Sequence, residues 1–235
     1  MLLEIPNLLP PSEYNLILDM LSRGKFVDGK LSAGSRARAI KNNLEMEPNE
    51  KLINDLNNIL MRRLVEHPTF QSFVLPCKVA SPFYVCYEKG MSYGAHIDDP
   101  IMGPPQYRYR SDVSITIFLN SPQDYQGGEL SIQTNFGPSE VKLAAGSAVL
   151  YPSSSLHQVR EITEGRRIVA VTWAQSHVRS AEQRDVLYEL HLARQKLLNT
   201  AALAEETAQV DHVYTNLVRM WSDVKPGTKN MMKML

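Results

Sequence analysis

Residues 84–98 read YVCYEKGMSYGAHID. Side chains alternate between faces along a β-strand, so residues two apart point the same way. In an extended chain the close of this stretch, His96-x-Asp98, therefore sends an imidazole and a carboxylate to one side. Both are metal-ligand types, and a third ligand from farther along would complete a site. A pattern this short recurs by chance, so its meaning rests on what surrounds it.

Outward from that stretch, the middle of the chain keeps a short extended period. Runs at 79–87, 113–119, 130–134, 141–143, 148–151, 159–162 and 167–173 are β-branched or aromatic in bias, with Gly, Pro, Asn and Ser between them. No helical pattern intervenes, which excludes a doubly wound α/β fold and predicts an antiparallel sandwich or barrel. The flanks change period. A helix is expected over 10–24, with Leu16, Ile17, Met20 and Leu21 on its apolar stripe. A second is expected over 48–66, with Leu52, Ile53, Leu56, Ile59, Leu60 and Leu64 facing inward and Pro68 ending it. The polar residues between these helices admit either a hairpin or a loop.

After Gln175 the helical period returns. Val186, Leu190, Ala193 and Leu197 form one stripe, and Val210, Val213, Tyr214, Leu217, Val218 and Trp221 a second. Two such helices need a surface to cover, either the β core or a second subunit in a homodimer. The expected division is a helix-supported β domain over 1–176, its core 79–176, and a helical region over 177–235. The tail KPGTKNMMKML is expected to fray.

Composition narrows the function classes. Over 235 residues, 25 Lys and Arg balance 25 Asp and Glu, so no net charge draws the chain to nucleic acid or to an anionic membrane. Cys77 and Cys86 make no disulfide framework and read as small buried hydrophobes. The opening MLLEIPNLLPPSEY lacks a basic n-region, and no apolar run reaches the length of a membrane span. The expected compartment is reducing, most simply the cytoplasm.

Residues downstream give His96 and Asp98 their context. His157 follows the Pro152–Ser155 loop and opens a strand, which places it at a rim facing inward. Two His and one carboxylate on one face of a metal leave open positions, the arrangement of non-haem Fe(II) oxygenases. Ten residues later Arg167 starts the next strand, across a turn at 163–165, and a hairpin of that length would return it beside His157. A guanidinium there has a use, because its fork binds a carboxylate bidentately at any working pH. A 2-oxo acid chelating the metal at one end would offer such a carboxylate at the other.

Other stretches carry weaker signals. Ser114 and Thr116 share a strand face that would line the pocket. In the Pro-rich loop 99–110, Tyr107, Arg108, Tyr109 and Arg110 are candidates for recognising an anionic or aromatic substrate. Gly127-Gly128 reads as a tight turn, and His67, His177, His191 and His212 as structural or surface residues. Two other classes use the same ligands. One is a non-catalytic binding module of the same architecture; the other is a metal-dependent hydrolase, which would have no use for Arg167.

Taken together, His96-x-Asp98, His157, Arg167, Tyr87 nine residues before His96, and Gly127-Gly128-Glu129-Leu130 resemble the Fe(II)/2-oxoglutarate dioxygenases of prolyl 4-hydroxylase type. Over its full length the chain is similar to the bacterial PKHD-type hydroxylases associated with iron uptake. The resemblance implies a double-stranded β-helix (jelly roll) core with a C-terminal helical appendage. It implies that His96, Asp98 and His157 hold Fe(II), that Arg167 takes the 5-carboxylate of 2-oxoglutarate, and that Tyr87 faces the same pocket. Trp173, six residues after Arg167, matches a common aromatic and is taken as core. Val169 and Val171 depart from the pattern, which often has Lys or Thr on this strand. The implied reaction consumes O2, releases succinate and CO2, uses L-ascorbate as reductant and hydroxylates a small-molecule or peptide substrate.

Overall fold

The computed structural model describes residues 1–32 and 34–224; the tail expected to fray lies outside the described residues. In chain order, β1 (Leu3–Ile5), α1 (Pro11–Ser22), β2 (Phe26–Asp28), α2 (Ser35–Ile40), β3 (Lys41–Asn42), β4 (Leu44–Met46), α3 (Glu50–Glu66) and α4 (Pro68–Val74) come first. The strands then follow one another: β5 (Pro76–Val79), β6 (Phe83–Tyr87), β7 (Ser92–His96), β8 (Ile101–Met102), β9 (Tyr109–Arg110), β10 (Val113–Phe118) and β11 (Tyr125–Gly127). They continue with β12 (Leu130–Thr134), β13 (Gly137–Val141), β14 (Ala148–Pro152), β15 (His157–Val159), β16 (Ile162–Gly165) and β17 (Arg167–Ser176). Two helices, α5 (Ala181–Ala201) and α6 (Glu205–Trp221), close the described chain.

Two antiparallel sheets form the expected jelly roll. The larger runs β1-β14-β10-β17-β6-β4-β2, with β5 beside β17; the smaller runs β13-β12-β15-β7-β3. Alternation along the larger sheet divides its side chains. Val85, Tyr87, Phe118, Tyr151 and Val169 meet Leu130, Ile132 and Val159 of the smaller sheet in one apolar cluster. Ile115, Ile117, Tyr84 and Ala170 point the other way and pack against the N-terminal helices through Ile17, Leu21, Leu56, Leu60 and Leu64. Every residue of β10 is consequently buried, as a strand covered on both faces must be.

Several sequence expectations change in the structure. Pro68 does not simply end α3. It occupies the first turn of α4, where its missing N–H costs nothing, and His67 caps that helix by accepting from Thr69 N at 3.3 Å. Leu16 is exposed on α1, as is Val186 on α5. Helix α5 docks instead through Leu187, Tyr188 and the buried Arg184. The Arg184 guanidinium donates to the carbonyls of Val178 (2.8 Å), Arg179 (2.9 Å) and Asp112 (3.3 Å), and Tyr188 meets Phe73 edge-on at 5.2 Å. Cys86 is buried, but Cys77 is exposed on β5.

The expected hairpin between His157 and Arg167 does not form. Strand β15 belongs to the smaller sheet and β17 to the larger, and the intervening residues form β16, paired with β11. The described residues between 25 and 46, undecided from sequence, hold a 3-10 turn at Gly29–Ser32, the short helix α2 and three short strands. Their last part crosses between the sheets, because β3 pairs with β7 and β4 with β6. No helix among the described residues is long and apolar enough to cross a membrane.

Candidate metal centre

The smaller sheet brings the three sequence-predicted ligands together. His96 ends β7, His157 opens β15, and the two are cross-strand partners; Asp98 follows β7 directly. The ligand atoms of the three all lie within 4.8 Å of one another. His96 Nε2 stands 3.9 Å and His157 Nε2 3.8 Å from Asp98 Oδ1. Each imidazole turns its other nitrogen back onto its own backbone: His96 Nδ1 lies 2.8 Å from Gly94 O and His157 Nδ1 3.0 Å from Ser155 O. A carbonyl only accepts, so Nδ1 carries the proton in each ring and the Nε2 lone pairs face the carboxylate. Burial, and then the neighbouring His157, push the His96 imidazolium down to about 4, so this ring is neutral at ordinary pH. Two imidazole nitrogens and one carboxylate oxygen converging on a point are a divalent transition-metal donor set.

The other carboxylate oxygen is held by the larger sheet. Ser114 and Trp173 are register partners on β10 and β17. The Ser114 hydroxyl donates to Asp98 Oδ2 at 2.5 Å and Trp173 Nε1–H donates to it at 2.9 Å. Asp98 can only accept, so the Ser114 proton goes to the carboxylate. The 2.7 Å contact between Ser114 Oγ and Ser153 Oγ is then a bond donated by Ser153. With Oδ2 occupied, Oδ1 is the oxygen left free to face the two imidazoles. Trp173, taken as core from the sequence, is thus half-buried on the cavity wall with a polar task. Strand alternation carried the signal: Arg167, Val169, Val171 and Trp173 share one face of β17.

Arg167 opens the same cavity from the larger sheet. It is only 1% exposed, one of the largest fully buried side chains in the protein. Its guanidinium lies over the rings of Tyr87 (5.2 Å) and Phe118 (5.3 Å), and Tyr87 is its register partner on β6. No carboxylate among the described residues pairs with it, and its Nε has no hydrogen-bond partner. A buried guanidinium in that condition calls for an anion from outside. Gly128, in the left-handed region at φ +69°, packs against it; a Cβ there would sit 3.1 Å from Arg167 Cδ and 2.3 Å from Ile162 Cδ1. The Gly127-Gly128 turn therefore makes room for Arg167. Arg166 faces outward, as alternation requires, and pairs with Glu88 at 3.2 Å.

The cavity joining these groups has a volume of about 160 Å³. Its walls include Val85, Leu130, Val159 and Val171, with Ser114 and Thr116 on the polar side. Tyr87 is present, its hydroxyl accepting from Asn43 Nδ2 at 3.2 Å and its pKa raised by burial. The four loop residues proposed for substrate do not line it. Tyr107 is exposed, and Arg108 is exposed with its carbonyl accepting from Lys78 at 3.1 Å. Tyr109 packs beside Met102, with its hydroxyl pushed up to about 12 by burial and the charge of Asp98. Arg110 is committed to Asp112 through two bonds of 2.5 and 2.9 Å. Sequence reading missed Lys41, Asn43 and Glu45, all on the cavity wall.

Known proteins share this arrangement of chain. Residues 82–175 match a family described as the 2OG-Fe(II) oxygenase superfamily, and residues 182–223 the PKHD-type hydroxylase C-terminal domain. A PKHD-type hydroxylase of Thioalkalivibrio sulfidiphilus is 48% identical over 95% of this chain and 100% of its own length. One from Shewanella sp. (strain ANA-3) is 40% identical with the same coverage. Among solved structures, a Pseudomonas putida prolyl-4-hydroxylase gives a TM-score of 0.53 at 18% identity, covering 74% of this chain and 92% of that one. HygX from Streptomyces hygroscopicus, solved with nickel, 2-oxoglutarate and hygromycin B bound, gives 0.51 at 15% identity, covering 75% and 84%. These two structures share the fold.

Proposed function

Because this chain belongs to the PKHD-type hydroxylases, a family of 2OG-Fe(II) oxygenases, we propose that His96, Asp98 and His157 hold Fe(II) and that Arg167 receives the distal carboxylate of 2-oxoglutarate in the hydroxylation of an organic substrate. The family implies the iron and the cosubstrate. The observation that carries the residue assignment is the buried, acid-free guanidinium of Arg167, opening on the same cavity as the three-donor cluster.

The residues fit the group. Three donors on one side leave the other side of an ion open, and backbone carbonyls hold both imidazoles by Nδ1 so that each Nε2 faces the cluster. When bound, Fe(II) with 2-oxoglutarate and O2 supplies the oxidising chemistry, with succinate and CO2 as the other products. The chain supplies position. Ser114 and Trp173 fix the carboxylate so that it offers one oxygen. Arg167, backed by Tyr87 and Phe118, would grip the far end of the cosubstrate, and the apolar walls would exclude water along its length. A hydrolase would leave Arg167 without a task.

Two further parts of this reading rest on the family resemblance, a role tied to iron uptake and L-ascorbate as accessory reductant; a cytoplasmic location rests on the two unpaired cysteines, and a homodimer on the apolar stripes of the C-terminal helices. The division at residue 176 rests on the change of period after Gln175, and the separate matches over 82–175 and 182–223 are consistent with it. The test is anaerobic titration of the protein with Fe(II) and then 2-oxoglutarate. A weak visible metal-to-ligand charge-transfer band should appear and be lost on admitting O2. In Arg167→Met the band should require roughly 100-fold more 2-oxoglutarate, the scale of losing a buried charged partner. An unchanged requirement would remove Arg167 from the assignment.

A further inference from the structure

The segment crossing between the sheets gives the cavity a set of polar groups that neither the metal ligands nor Arg167 needs. Residues 41–46 leave β7 as β3 and join β6 as β4, and at every second position a polar side chain meets the cavity: Lys41, Asn43 and Glu45. All three are buried, at 7%, 3% and 9% exposure. Lys41 and Glu45 form an ion pair, and Lys41 also donates to Ser32 Oγ at 2.9 Å. Lys41 Nζ stands 5.7 Å from the centre of the Tyr93 ring, which in turn stacks on His96 at 3.7 Å. The pair therefore sits one aromatic ring away from the metal ligands.

Counting bonds shows what is left over. An ammonium has three N–H donors, and Ser32 and Glu45 take two of those of Lys41. A carboxylate has about four acceptor positions, and the Lys41 bond uses one of those of Glu45. Asn43 Oδ1 is buried and has no hydrogen-bond partner, while its Nδ2 is given to Tyr87. The wall thus holds one spare cationic donor beside two groups with spare acceptor positions, one of them anionic. A singly charged ligand would satisfy one member of the ion pair and compete for the other, and stranding one charge of a buried pair is strongly unfavourable. A neutral peptide main chain would compensate neither charge. A ligand with an ammonium and a carboxylate on adjacent atoms satisfies both without breaking the pair.

We propose that Lys41, Asn43 and Glu45 form the substrate subsite and that it takes the zwitterionic head of a free α-amino acid. The carboxylate lies against Lys41, the ammonium against Glu45 and Asn43, and the side chain reaches past Tyr93 toward the metal centre. This rests on the oxygenase reading above and adds the substrate class to it. Gly29 is part of the same construction. Its N–H donates to Asn43 O at 2.9 Å, and a Cβ there would fall 1.9 Å from Asn43 Oδ1, so only glycine leaves the Asn43 amide in place.

The test uses the twenty L-amino acids, singly, and their N-acetyl amides, which keep the side chain and remove both charges. Binding is read by calorimetry on the full chain, and by perturbation of the Fe(II)–2-oxoglutarate absorption band under anaerobic conditions. At least one free amino acid should bind and shift the band, and its N-acetyl amide should do neither. Glu45→Gln and Lys41→Met should each weaken that binding by at least about 30-fold, as expected for a stranded buried charge. The double variant Lys41→Met with Glu45→Met removes the pair as a unit, guards against misfolding of the single variants, and should also fail to bind. The absorption band in each variant is the control for fold and metal centre. Equal binding of the amides, or no effect of Glu45→Gln, would overturn the subsite. So would a wild-type protein that forms the band and binds no free amino acid. A wild-type protein without the band would overturn the cosubstrate reading itself, and this one with it.

Discussion

Replacing Trp173 by Phe isolates one bond. The indole N–H donates to Asp98 Oδ2 at 2.9 Å, while the ring packs edge-on against Phe83 with centroids 5.9 Å apart. Phenylalanine keeps an aromatic ring at that contact and has no donor. Hydrogen bonds to a charged acceptor are worth about 1.5–3 kcal/mol. The lower end applies here, because Ser114 still holds the same oxygen at 2.5 Å. About 1.4 kcal/mol is tenfold in an equilibrium constant, and loss of a group that orients a metal ligand typically costs 10–100-fold in affinity. Fe(II) affinity in Trp173→Phe should therefore fall by roughly 10–30-fold.

The assay is anaerobic competition between the protein and a chromophoric chelator, followed by 2-oxoglutarate titration at saturating metal. The mechanism requires a split: metal affinity falls and 2-oxoglutarate affinity at saturating metal does not, because Trp173 touches Asp98 and not Arg167. Ser114→Ala should act on the same quantity. In the double variant the loss should exceed the sum of the two, since each donor partly covers for the other on a shared oxygen. Unchanged Fe(II) affinity in Trp173→Phe would refute the reasoning, as would a loss confined to 2-oxoglutarate.

Three further outcomes follow from the geometry. Gly128→Ala forces a side chain into φ +69° and onto Ile162 and Arg167; it should lower stability by about 1–3 kcal/mol and weaken 2-oxoglutarate binding, measured by denaturant midpoint and by the absorption band. Arg184→Leu leaves three carbonyls without their donor and should cost about 3 kcal/mol, with hydrogen exchange rising in α5 well before β10. For metal-free protein, His96 titrates at about 4 when folded, against 6.5 ordinarily. Between those values the unfolded chain binds the extra proton, so this contribution is complete above pH 6.5 and is lost as pH falls toward 4. An NMR titration of the metal-free protein placing the His96 imidazole above 6 would remove this contribution.

The clustering of the three candidate ligands was legible because its signal is local. Two residues apart in a strand is enough to aim His96 and Asp98 together, and a His opening a strand after a Ser-rich loop is a rim position. Arg167 was found at the right place through the wrong connection: its approach to the site comes from facing sheets and not from a hairpin turn. The polar task of Trp173 was half-legible, since alternation from Arg167 puts it on the inward face, but its acceptor lies 75 residues away and no periodicity reports that. Arg110, a substrate candidate from the sequence, lies off the cavity and is paired with Asp112 two residues on, a pairing that a loop pattern does not report. Arg184 hid the docking face of α5, because a stripe search counts apolar side chains and passes over a buried arginine.

The site is a seam, which explains both what could be read and what could not. All three metal-ligand candidates come from the smaller sheet or the residues just beyond it, while Arg167, Tyr87, Ser114 and Trp173 come from the larger. Either sheet alone would hold an incomplete set: imidazoles and a carboxylate with no anion grip, or an arginine with nothing to orient toward. Packing of the two sheets therefore assembles the candidate metal centre, and an ion and cosubstrate bound there would favour the packed state by mass action. Residues 41–46 are where this coupling is most direct, since one short segment pairs with β7 on one sheet and β6 on the other while facing the cavity. A ligand seated on Lys41, Asn43 and Glu45 would tighten that crossing. Its binding and the alignment of His96 with Arg167 are then one event, because the same backbone joins the strands that carry them.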